Sequence, residues 1–133
     1  MDPILHLSLP VIDLDECKRF YVEQLGCDLA REREGFIDVW FYGLQLTLQH
    51  HPEQVLAPAD RGVRHFGVTL GADELRELLA RLDETGVEWV SRVHTDHAGT
   101  ALEQTKAKIA DPSGNVIELK TYAVPDAAFT MPR

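Results

Sequence analysis

The feature that most constrains the fold is an internal repeat, because repeated order fixes architecture before any single residue is read. The segment "ILHLSLPV" alternates as a strand does. Asp13 follows, with Glu16 three residues on, a helix-capping arrangement. Cys17, Phe20, Tyr21 and Leu25 then recur at helical spacing up to Gly26. "CDLARE", "GFIDVWFY" and "LQLTLQ" read as three more strands, the last two joined by a tight turn at Gly43. After the Pro-containing stretch "HHPEQVLAPADRG" the order returns. "VRHFGVTL" is a strand, and Leu75, Leu78, Leu79 and Leu82 line a helix that ends at Gly86. "EWVSRV", "EQTKAKIA" and "NVIELK" are strands, with "HTDHAGTAL" a loop between the first two.

Strand-helix-strand-strand-strand, twice, predicts an α+β fold. Two βαβββ modules form a curled, barrel-like mixed sheet with helices outside. The 133 residues suffice for one domain with one sizeable core. That domain is expected over 1–123, as module one (1–50), a linker (51–63) and module two (64–123), followed by a C-terminal tail (124–133).

Strand phase separates two faces, since successive side chains point to opposite sides. Leu5, Leu7 and Leu9 oppose Ile4, His6 and Ser8; Leu44, Leu46 and Leu48 oppose Gln45, Thr47 and Gln49. In the second copy Phe66, Val68 and Leu70 oppose His65, Gly67 and Thr69, and Ile117 and Leu119 oppose Glu118. Each sheet therefore has an apolar face for a helix to cover and a polar one. His6, Gln45, His65 and Glu118 fall on polar faces at matching places in the two copies. This accounts for a carboxylate inside the apolar strand "NVIELK": Glu118 lies on the side away from the core.

Charge narrows the partners. With 13 basic and 22 acidic residues the net charge is −9, so nucleic acid and anionic membrane surfaces are poor partners. No apolar run approaches the ~18 residues of a membrane span. "MDPILHLSLPV" has an early Asp and no basic leader region, so a cytoplasmic protein is expected, with Cys17 and Cys27 as reduced thiols.

The stretches "HLSLPVIDLDECKRFYVEQLG", "GLQLTLQ", "HFGVTL" and "DPSGNVIELK" resemble the vicinal oxygen chelate superfamily, which includes glyoxalase I, fosfomycin-resistance transferases, bleomycin-resistance proteins and extradiol dioxygenases. "FIDVWFYGLQL", "HFGVTL" and "DPSGNVIELKTY" look most like its small single-domain branch of predicted extradiol-type dioxygenases. The resemblance implies a divalent metal at the positions of His6, His65 and Glu118, with Gln45 as a fourth ligand in glyoxalase-like members. Two imidazoles and a carboxylate suit Fe(II), the favoured ion, and also Mn, Ni or Zn. Three protein ligands on an octahedral ion leave three positions, enough for two substrate oxygens and O2; a fourth, Gln45, leaves two. The first expectation is therefore an extradiol-type, dioxygenase-like enzyme acting on a small molecule with adjacent oxygens. A glyoxalase I-like isomerase or lyase is the alternative, and a metal-free, drug-sequestering binding protein the second.

Further cavity residues follow from phase. Gln104, Lys106 and Lys108 share the polar side, where the two ammonium groups would meet an anionic substrate or simply line a solvated rim. Asp38, Trp40 and Tyr42 share it as well, the two rings as an aromatic wall or as filling. His94 and His97, in the loop, and Tyr122 are the acid–base candidates, although loop histidines are ordinarily just solvated. A module holds only half a cavity, and the linker over 51–63 lets the second module come from the same chain or from a neighbour; the resemblance implies exchange of modules in a homodimer, in which His6 of one subunit meets His65 and Glu118 of the other.

Overall fold

A computed structural model describes residues 1–128; of the expected C-terminal tail, 129–133 lie outside the described residues. The strands, in chain order, are β1 (His6–Val11), β2 (Asp28–Arg33), β3 (Phe36–Phe41), β4 (Leu44–His50), β5 (Phe66–Thr69), β6 (Glu88–Asp96), β7 (Gln104–Ala110) and β8 (Val116–Tyr122). Helix α1 (Leu14–Lys18) continues as a π-helical segment (Arg19–Gln24), and α2 spans Ala72–Asp83. The strands form two four-stranded mixed sheets, ordered β1-β4-β3-β2 and β5-β8-β7-β6. In each, the first strand runs parallel to the fourth and the other pairs are antiparallel. The duplicated βαβββ order is thus present. The compact units are residues 1–64 together with 111–115, and residues 65–110 together with those from 116 on.

In the first unit the apolar face carries Val11, Ile37, Val39, Phe41, Leu46 and Leu48, all buried. Cys17, Phe20 and Tyr21 cover it from the helical segment, which packs against β3 and β4. Asp13 caps α1 by accepting from the Glu16 N–H at 3.0 Å. In the second unit Leu75, Leu78 and Leu82 of α2 and Ala107, Ile109, Ile117 and Leu119 of the sheet make the core.

The turn joining β7 to β8, Asp111–Asn115, belongs to the first unit. The Tyr21 hydroxyl donates to Asp111 Oδ2 at 2.7 Å, and both groups are buried. Asp111 also accepts from Asn115 Nδ2 and from the backbone N–H groups of Ser113 and Asn115, each at 2.9 Å. Ser113 Oγ accepts from the Ile12 N–H at 2.8 Å. Burial pushes the Asp111 carboxyl above its ordinary range despite these donors. Burial, with Asp111 beside it, also pushes the Cys17 thiol to about 12, and burial does the same to Cys27. Both cysteines are free and buried, and a thiol kept protonated by burial is a poor nucleophile.

Three expectations need correction. Strand β6 runs to Asp96, so His94 is in a strand and pairs with Lys106 rather than sitting in a loop. The strand register, not local sequence, holds it there. Tyr42 is not on a strand face: Phe41 pairs with Leu44, leaving Tyr42 and Gly43 as a two-residue hairpin loop with φ of 49° and 87°. Both positive values match the right-handed twist of the flanking strands, a conformation free for Gly and costly for Tyr. The exposed Tyr42 ring meets Phe41 edge-on at 5.1 Å. The strand expected over "VRHFGVTL" is shorter, β5 being Phe66–Thr69, so His65 precedes it.

Candidate functional site

The polar face of the first unit is ordered by register. His6, Gln45, Trp40 and Asp28 lie side by side across β1, β4, β3 and β2, and Ser8, Thr47 and Asp38 form the next row. His6 Nδ1 stands 3.2 Å from the Gln45 carbonyl oxygen. A carbonyl only accepts, so Nδ1 carries a hydrogen, which in the neutral form of the ring puts the lone pair on Nε2. A backbone carbonyl on the far ring nitrogen is the usual support of a metal-binding imidazole.

Asp38 shares this face but is fully buried. Its Oδ2 accepts from Arg31 Nε at 2.5 Å and Gln45 Nε2 at 3.3 Å, and its Oδ1 from the Thr47 hydroxyl at 2.6 Å. Burial pushes the carboxyl up, but the bonds from Thr47, Arg31 and Gln45 and the Arg31 charge outweigh it and hold it below the ordinary range. Asp38 is thus committed to protein partners and is not a free substrate contact. Arg31 reaches it because β2 bulges between Leu29 and Glu32, so that two residues face Asp38. The same shift turns Glu32 to the helix side, where it pairs with Lys18 at 3.0 Å.

In the second unit Gly67 pairs with Glu118, Glu118 with Lys108, Lys120 with Lys106, and Tyr122 with Gln104. Gln104, Lys106, Lys108, Glu118, Lys120 and Tyr122 therefore share one face, and His94 joins them through Lys106. His65 Nε2 lies 3.3 Å from Glu118 Oε2. Lys108 Nζ and Lys120 Nζ stand 3.9 and 3.7 Å from the Glu118 carboxylate, and Lys120 lies 5.5 Å from the Tyr122 ring centre. Lys106 is held by Asp96 at 2.8 Å; that bond raises the lysine and lowers the carboxyl from their ordinary values. An open cleft of about 250 Å³ is lined by His65, Gly67, Thr69, Glu118 and Lys120 among others. A side chain at Gly67 would overlap the Glu118 carbonyl oxygen, so glycine is what lets β5 approach β8 here.

Of the sequence-derived candidates, the structure brings together His6 with Gln45 in one unit and His65 with Glu118 in the other. It places Lys106, Lys108, His94 and Tyr122 on the Glu118 face. His97 is at a turn, with φ of 56°, and His94 Nδ1 faces the Arg92 carbonyl at 3.0 Å. Among the described residues no group of three or more His, Cys, Asp or Glu side chains is gathered closely enough to hold a metal. Strand phase put Thr47 and Gly67 on the polar faces without giving them a role, and Arg31, Asp96 and Lys120 were missed by sequence reasoning. Lys120 was within reach, being two residues from Glu118 in the same strand; Arg31 was not, since the bulge that aims it has no local signature.

Residues 3–119 match the family model described as the Glyoxalase/Bleomycin resistance protein/Dioxygenase superfamily. The chain belongs to this superfamily. The likeness of its paired modules to vicinal oxygen chelate proteins is thereby borne out. A glyoxalase/bleomycin resistance protein/dioxygenase from Alicyclobacillus acidocaldarius is similar at 29% identity and a TM-score of 0.87, over 96% of this chain and 97% of that one. The fosfomycin resistance protein FosX from Listeria monocytogenes (15% identity, TM-score 0.75, 96% and 98% covered) shares the superfamily fold. So does a lactoylglutathione lyase from Agrobacterium tumefaciens (19%, 0.66, 91% and 94%). No curated protein matches the chain. Superfamily members are often enzymes and commonly use divalent metals. Among the described residues no helix is long and apolar enough to cross a membrane.

Proposed function

We propose that the protein is a divalent-metal enzyme acting on a small substrate with two neighbouring oxygens, with His6, Gln45, His65 and Glu118 as the metal ligands. The observation that carries this reading is the His65–Glu118 pair. Two donors next to each other on one ion, with bonds of ~2.1 Å, stand about 3 Å apart, and Nε2 and Oε2 are 3.3 Å apart. The carbonyl-supported tautomer of His6 fits the same role. A bound ion would supply Lewis acidity, polarising the two oxygens it chelates.

The chain's own residues do the rest. Lys108 and Lys120 flank Glu118 and would bind an anionic group on the substrate, with Lys106 beside them. His94 and Tyr122 share that face and are the candidates to move a proton. Trp40, in the row of His6 and Gln45, would stack on the substrate.

Gln45 favours a glyoxalase-type isomerase or lyase, because a fourth protein ligand leaves two positions for the two oxygens. Extradiol-type oxygenation with Fe(II) is the second reading, favoured by the two imidazoles and one carboxylate, and it requires Gln45 to stay off the ion. Anaerobic purification with metal analysis tests the shared premise. Glu118→Ala should abolish stoichiometric metal, and an unchanged equivalent bound with wild-type affinity would remove the site. Oxygen uptake on catechols by the Fe(II) protein, against isomerisation of hemithioacetals, separates the two reactions.

A further inference from the structure

We infer that Asp38 is a positioning residue for Gln45: it holds the carboxamide by its nitrogen, so that the carbonyl oxygen Oε1 faces outward as the donor atom beside His6. Both Asp38 oxygens already act as acceptors, Oδ2 from Arg31 Nε and Oδ1 from the Thr47 hydroxyl. The Gln45 atom touching Oδ2 at 3.3 Å must therefore be the NH2 group; the opposite placement would set an oxygen against an oxygen in a buried site. Carboxamide oxygen and nitrogen are otherwise interchangeable, and here the chemistry of the neighbour decides. Once Nε2 is fixed, Oε1 points elsewhere by amide planarity.

Asp38 is itself rigid. Thr47, two residues from Gln45 on the same face of β4, binds Oδ1 at 2.6 Å, and Arg31 binds Oδ2 at 2.5 Å. The carboxylate cannot rotate without losing one of them. Arg31 and Thr47 thus act on Gln45 through Asp38, and β4 supplies both the positioned residue and part of its support.

The role of Oε1 as a metal donor rests on the metal reading above; the anchoring of the amide does not. Two measurements keep them apart. In the 15N spectrum of the wild-type protein, the Gln45 side-chain NH2 should exchange slowly and show contacts to Thr47. Asp38→Ala should return it to the exchange of a free carboxamide. Contacts in the wild type decide the point even if Asp38→Ala does not fold: a Gln45 amide that is mobile in the wild type overturns the inference. Cobalt(II) affinity is then measured for wild type, Asp38→Ala, Gln45→Ala and the double variant. Each single change should weaken binding about 10-fold or more, the usual size for a lost supporting contact, and the double should be no weaker than Gln45→Ala alone. An equal loss from Asp38→Ala with and without Gln45 overturns positioning through Gln45. No cobalt binding by the wild type, with an anchored amide, defeats the metal reading and leaves the anchoring in place.

Discussion

Replacing Tyr21 with Phe removes one hydrogen bond and almost nothing else. The ring keeps its edge-on contact with Phe20 at 4.9 Å, and the site is too tightly closed to admit solvent, Tyr21 being 0% and Asp111 2% exposed. What is lost is a 2.7 Å bond to a buried carboxylate. Bonds to charged groups contribute about 1.5–3 kcal/mol. With an unfolding entropy of ~2 cal/mol/K per residue over the chain, the melting temperature should fall by roughly 5–10 °C. The pH dependence has a definite sign. The folded Asp111 carboxyl is raised by burial, so its contribution to stability is complete below the unfolded carboxyl range, near 3.9, and is lost as pH rises through the higher folded value. The Tyr21 bond works against that rise. Without it the folded value climbs further, and the penalty at neutral pH grows. Urea melts of both proteins at neutral pH and at about pH 4 should show a larger gap at neutral pH. A gap below ~0.5 kcal/mol, within the range of an ordinary surface change, or one that widens on acidification, would refute the reasoning.

Gly67→Ala should push β5 off β8 at Glu118 and destabilise by about 1–3 kcal/mol, as overpacking does; amide exchange at Val68 and Thr69 should quicken, and unchanged exchange would mean that the strands are not that close. For the assembly, inactive His6→Ala and Glu118→Ala proteins are unfolded and refolded together. With sites shared between subunits of a dimer, about a quarter of wild-type metal binding should return under random pairing; none returning, with heterodimers shown by native mass spectrometry, would place each site within one chain.

The apolar alternation of Leu46 and Leu48, and of Ile117 and Leu119, was enough to assign faces, because both segments are central strands covered on one side only. It therefore also put Gln45 and Glu118 on the polar faces. The end of β6 was not legible: His94, Thr95 and Asp96 have no apolar period, and pairing with β7 is what keeps them extended. Tyr42 was misplaced because a tyrosine is an unusual occupant of a left-handed turn position. Tyr21 and Asp111 meet across 90 residues, beyond any local pattern, and Asp38 read as a cavity acid because nothing near it in sequence announces Arg31.

The bulge in β2 has a consequence for how the strand is kept in its lane. Without it, the same residues would slide by one: Ala30 would face Asp38, Arg31 would turn toward Lys18 and α1, and Glu32 would come round to the side of Asp38. Two attractive pairs would become two repulsive ones in a single slip. The two ion pairs thus proofread the register. The Lys18–Glu32 pair is modest by itself, both partners being about half in water, but together with the buried Asp38 partnership it penalises the one-residue slip on both sides of the sheet.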